Sequence, residues 1–120
     1  MSRRSAWGIA LVLVGMAMPV ASGLAADSAI HQVTIARDSF TFEPQALAIH
    51  QGDTVRWTNN DGQMHMVVTS KPGSDGRELE LYKKVDPGGG TLEYQFNTAA
   101  AYYYYCAIHF QMWGIISVNP

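Results

Sequence analysis

The stretch YYYYCAIHFQMWG, residues 102–114, spaces Cys106, His109 and Met112 at even intervals of three. Within seven residues it offers a thiolate, an imidazole and a thioether, three donors suited to a soft metal ion. Cys106 is the only cysteine of the 120-residue chain, so an internal disulfide is excluded. It is then either a buried free thiol, as unpaired cysteines often are, or a metal-bound thiolate. Two further donors three and six residues away favour the metal. An extended strand would stretch this span over about 20 Å, so the chain must curl into a tight loop, and Gly114 lets it turn back into a strand. A second strong nitrogen donor has to come from elsewhere. His65 is the candidate, in Asp61-Gly62-Gln63-Met64-His65 at the mouth of a strand that follows a turn.

Two imidazoles, one thiolate and a weak axial thioether describe a blue-copper electron-transfer centre. Structural zinc takes four strong Cys or His ligands, one more than this set supplies. Calcium and magnesium prefer oxygen donors. The expected cofactor is therefore one type 1 copper ion, held by His65, Cys106, His109 and Met112.

The elements that must position these donors have period two rather than 3.6. Short runs rich in Val, Ile, Thr and Tyr predict strands near 32–36, 46–50, 54–59, 65–69, 79–85, 91–97, 102–106 and 115–118. Turns are marked by Gln51-Gly52-Asp53, residues 59–62, residues 71–76 and Asp86-Pro87-Gly88-Gly89-Gly90. About eight strands at this spacing predict an all-β Greek-key sandwich. If any helix exists, the stretch 70–82 is the place for it, because the period is least clear there. Alternation in the tyrosine run predicts two rings facing inward and two outward. Trp57 is assigned to the core, and His31 and His50 to surface or strand positions.

At the N-terminus, Arg3 and Arg4 precede an apolar run from Ala6 to about Val20 and then small residues through Ala26. This predicts a secretory signal peptide over 1–26 and a single domain over 27–120. The run is shorter than the ~20 residues of a bilayer span. The mature chain would hold 94 residues, with six Lys/Arg against ten Asp/Glu for a formal charge of −4. Such a balance argues against nucleic acid, which demands a basic patch. Periplasmic location follows from export.

Taken along the chain, several motifs resemble the small cupredoxins, a family that includes plastocyanin, pseudoazurin and amicyanin. They are Phe40-Thr41-Phe42-Glu43-Pro44, Gly52-Asp53-Thr54-Val55-Arg56-Trp57-Thr58-Asn59, His65, and Tyr105-Cys106-x-x-His109-x-x-Met112-x-Gly114-x-Ile116-x-Val118. The short gap between His109 and Met112 is similar to the loop of amicyanin and pseudoazurin rather than the longer one of plastocyanin. The resemblance implies a cupredoxin-like sandwich, a type 1 copper with ligands at His65, Cys106, His109 and Met112, and electron transfer through the exposed edge of His109. Met66 stands where members often have an asparagine that ties the ligand loops, and Ile108 where many have proline. These departures bear on potential and loop rigidity more than on copper binding.

The expected function is one-electron transfer between exported or membrane redox proteins by a soluble monomer that is not an enzyme. Partners would dock briefly near His109 against Met64, Met66, Phe110 and Trp113. The competing reading is a periplasmic copper carrier that passes the ion, with Met64-His65-Met66 as a transient Cu(I) site.

Overall fold

The computed structural model describes residues 28–120, so the predicted signal peptide lies outside the described residues. Eight strands follow in order: β1 Ile30–Ile35, β2 Ala46–His50, β3 Thr54–Asn59, β4 His65–Ser70, β5 Leu79–Val85, β6 Gly90–Gln95, β7 Ala100–Tyr105 and β8 Trp113–Asn119. They form two mixed sheets, a three-stranded one in the order β1-β3-β6 and a five-stranded one in the order β2-β8-β7-β4-β5. Parallel pairs join β1 to β3 and β2 to β8, and the other pairings are antiparallel. The predicted sandwich and its eight strands are thus present, with ends shifted by a few residues.

Alternation on both sheets builds the core. Val33, Ile35, Val55 and Trp57 come from the small sheet, and Ile49, Val67, Tyr102, Tyr104, Ile116 and Val118 from the large one. In the tyrosine run, Tyr102 and Tyr104 are buried while Tyr103 and Tyr105 are exposed, the division that strand alternation predicts. Tyr104 sits at the centre, 4.7 Å from Phe42 and 5.5 Å from Trp57 in edge-on contacts. Among the described residues, neither its hydroxyl nor the Trp57 indole N–H has a hydrogen-bond partner, though both are buried. Burial pushes the Tyr104 hydroxyl up to about 12. Tyr102 reaches back to the Thr98 carbonyl at 2.8 Å and anchors the start of its strand.

The stretch 70–82 contains no helix; it is a pair of turns followed by β5. Gly73, Asp75 and Gly76 all have positive φ, at 77°, 55° and 80°, which interrupts any right-handed helical run. Across the open side of the sandwich, the Tyr94 hydroxyl of β6 donates to the Glu80 carboxylate of β5. Burial first, and then that carboxylate, push Tyr94 up to about 12.

At the end of the sandwich that holds the β2–β3 turn, Asp53 gathers the chain. Its carboxylate accepts the amides of His50 at 3.0 Å and Ala29 at 3.1 Å, and it pairs with His31 Nε2 at 2.9 Å. His31 is therefore a strand residue with a structural partner, and His50 is an exposed strand end. The bonds to Asp53, that of the His50 amide foremost, lower its pKa from 3.8 to about 2.

Because the folded value is the lower one, the contribution of Asp53 is present above pH 3.8 and is lost as pH falls through about 2. The loss of Tm across that window should accordingly be shallower in Asp53→Asn than in the unaltered protein; parallel acid limbs would contradict this account. A second expectation concerns Gly114, where an added Cβ would lie 2.5 Å from the Tyr104 ring and hydroxyl. Tyr104 is hemmed in by Phe42 and Trp57, so Gly114→Ala should destabilise by about 3 kcal/mol, the upper part of the range for overpacking. Denaturant unfolding of the metal-free protein measures it, and a change under about 0.5 kcal/mol, as for a neutral surface substitution, would refute it.

Candidate metal centre

Cys106 follows directly on β7 and Met112 directly precedes β8. The two strands are paired up to Tyr105 opposite Trp113, so the next residue on each side is brought face to face. The Cys106 amide donates to the Met112 carbonyl at 3.1 Å, and the Met112 amide donates to the His109 carbonyl at 2.9 Å. These two bonds curl the seven residues into the tight loop that the spacing requires.

Three of the four predicted donors converge. The Cys106 sulfur lies 3.9 Å from His65 Nδ1 and 3.7 Å from His109 Nδ1, and the three donor atoms fall within 4.8 Å of one another. A thiol is only a weak donor and a weak acceptor, so hydrogen bonding gives little reason for a sulfur poised nearly evenly between two ring nitrogens. A metal gives one. For bonds of about 2.3 Å to sulfur and about 2.0 Å to nitrogen set at trigonal angles, the S-to-N separation is roughly 3.7 Å. Met112, the fourth predicted donor, is buried at the end of the same loop. Its side chain, with Phe40 and Trp113, lines a pocket of about 240 Å³.

Cys106 is fully buried, and the Met66 amide donates to its sulfur at 3.4 Å. His65 is also fully buried. Its Nε2 lies 2.9 Å from an Asp61 carboxylate oxygen. The other oxygen of Asp61 accepts the amides of Gly62 at 2.9 Å and Asp38 at 3.2 Å. The His65 bond, followed by the Asp38 amide, lowers the Asp61 pKa below 3.8. An ionised Asp61 can only accept, so His65 keeps its proton on Nε2 and turns the lone pair of Nδ1 toward the sulfur. Asn59, buried at the end of β3, supports this loop by donating to the carbonyls of Gln63 and Val85 and accepting the Asp61 amide.

His109 is only half-buried, at the protein surface. Its sequence neighbours Phe110 and Ile108 are exposed, at 79% and 49%, as is Trp113 at the start of β8, at 47%, and Met64, which precedes His65, is half-buried. Met66 does not belong to this face. It is 8% exposed, and as the strand neighbour of His65 it leaves β4 on the opposite side. Ile108 was not foreseen as part of the apolar surround. Nor were two supports of the site: Asp61, whose position four residues before His65 was the available signal, and Phe40, whose contact depends on backbone geometry that composition does not reveal.

The family model described as copper binding proteins, plastocyanin/azurin family, matches residues 29–119. A plastocyanin of Scenedesmus fuscus is 31% identical over 75 residues, covering 59% of this chain and 76% of the algal protein. A plastocyanin of Synechococcus sp. (strain JA-2-3B'a(2-13)) is 38% identical over 69 residues, covering 56% of this chain and about half, 51%, of the cyanobacterial one. Among solved structures, a reduced Cu(I) form of an amicyanin mutant superposes with a TM-score of 0.65 at 28% identity, over 80% of this chain and 87% of that one. A purple cupredoxin from Nitrosopumilus maritimus shares the fold, with a TM-score of 0.63 at 24% identity over 74% of this chain and 99% of its own. The donor set fits one type 1 copper, and the chain belongs to the plastocyanin/azurin family of copper-binding proteins.

Proposed function

We propose that the protein is a one-electron carrier in which His65, Cys106, His109 and Met112 would hold a type 1 copper. The observation that carries this reading is the Cys106 sulfur set 3.7 and 3.9 Å from two imidazole nitrogens, separations that match those a shared metal would impose. Bound there, copper supplies the Cu(II)/Cu(I) couple. The chain supplies rigidity: Cys106 and Met112 are tied by a backbone bond, and His65 is held by a buried carboxylate. Ligands that cannot move much between oxidation states keep the reorganisation small. His109, the half-buried ligand, is the electron port, and its apolar surround of Ile108, Phe110 and Trp113 is the docking face for a transient redox partner. Cys106 couples the site back into β7.

On this reading the protein acts as a monomer, exported to the periplasm after removal of residues 1–26, and it is not an enzyme. The sequence of that N-terminal segment supports export. Among the described residues, no helix is long and apolar enough to cross a membrane.

Addition of one equivalent of Cu(II) to the purified protein should produce an intense visible band that ascorbate bleaches and re-oxidation restores, and Cys106→Ala should abolish it. A pale product, or copper held only when reduced and lost to a mild chelator, would overturn electron carriage in favour of passing the ion.

A further inference from the structure

The two imidazoles of the site are braced in different ways. His65 is fixed through Nε2 by the buried Asp61 carboxylate. Among the described residues, no hydrogen bond reaches Nε2 of His109, and the side-chain hydrogen-bond contact of its ring is with the Cys106 sulfur. Its other close contacts are aromatic. The Phe40 ring lies with its centroid 5.1 Å from that of His109, tilted by 59°, and 6.0 Å from that of His65, nearly edge-on at 78°. The imidazoles themselves are 4.9 Å apart. Phe40 thus closes a three-ring cluster whose other two members are the proposed nitrogen ligands.

Phe40 holds that place from an unfavourable backbone. Its φ is +50°, in the left-handed region that bulky residues rarely enter. Asp38, two residues earlier, is left-handed as well, at +59°. Strained conformations of this kind persist only where the surroundings over-determine them. Here they do. The β1–β2 connection is closed by paired backbone bonds between Thr34 and Glu43 at 2.8 and 2.9 Å. At its tip, the Asp38 amide donates to the Asp61 carboxylate, the group that also orients His65. Ser39 turns the chain between them, its hydroxyl donating to the Ala36 carbonyl and accepting the Thr41 amide. One buried carboxylate therefore fixes one imidazole directly and anchors the loop that carries the ring packed on the other.

We propose that Phe40 is a positioning residue for His109: its ring, presented by the Asp61-anchored left-handed turn, holds the exposed imidazole in register with the Cys106 sulfur. The role rests on the proposed ligand assignment but does not require copper to be observed, because it predicts the behaviour of the metal-free side chain. Simple filling of the core would need volume at residue 40 and no ring. Positioning needs the flat face.

The test compares Phe40→Leu, Phe40→Met and Phe40→Tyr. In the metal-free protein, ring relaxation by NMR reports the order of both imidazoles on the ps–ns timescale. With Leu or Met, His109 should become less ordered while His65, held by Asp61, stays rigid; Tyr should restore His109. In the copper-loaded protein, Leu and Met should shift the visible band and raise the reduction potential, since a loosened nitrogen donor destabilises Cu(II) more than Cu(I), and Tyr should return both. If Leu does not fold, Met serves alone. Unchanged His109 order and unchanged potential in a folded Leu or Met variant would overturn the proposal. Absence of a visible band in the unaltered protein would instead strike the electron-carrier reading, and the metal-free NMR comparison would still decide the role of Phe40.

Discussion

The register between β7 and β8 is the constraint on which the rest of the structure depends. Tyr104 lies opposite Gly114, and the Tyr104 ring occupies the space that a side chain at 114 would need. A slip of one residue would set Trp113 or Ile115 against that ring and turn the alternating faces of β8 inside out. With the register locked, Tyr105 faces Trp113, and the first residues beyond the pair, Cys106 and Met112, must meet across the mouth of the hairpin. The central aromatic contact of the core thereby sets where Cys106 and Met112 stand. The intervening residues have little freedom except to curl His109 back toward the same point.

The second nitrogen arrives by a different route. β4 runs beside β7, with Val68 opposite Tyr105, so the start of β4 lies near the end of β7 and His65 faces inward over the thiol. Burying an imidazole and a carboxylate together is costly unless every polar group is satisfied. Asp61 meets that condition, with one oxygen on His65 and the other on two backbone amides. The polar investment is concentrated on the buried side of the site, leaving the surface side to aromatic packing.

The donor set was legible in the sequence because ligands are scarce and their chemistry is distinctive: one cysteine, a histidine and a methionine at equal spacing, and a further histidine at a strand mouth. The strands were legible from period-two alternation, which also divided the tyrosines correctly. The same rule, applied to His65 and Met66, excludes Met66 from the surface around His109, because neighbours in a strand face opposite ways. Asp61 and Phe40 were harder to read. Each acts through a partner distant in sequence or through a left-handed backbone, and neither leaves a periodic trace. The possible helix at 70–82 gave way to turns because two glycines and an aspartate there take positive φ.

The asymmetry between the two imidazoles has a physical logic for a protein of this family. A site buried on all sides would be rigid but remote from any partner, and one open on all sides would admit water and rearrange with each change of charge. Here the thiol and His65 are fully buried, and only the ring of His109 reaches the surface, within an apolar surround. Hydrogen bonds would be a poor brace at that edge, since water competes for them and a docking partner would have to displace it. An aromatic ring packed on the imidazole restrains it without presenting a polar group to either. Phe40, strained as its backbone is, occupies the place where such a brace is needed.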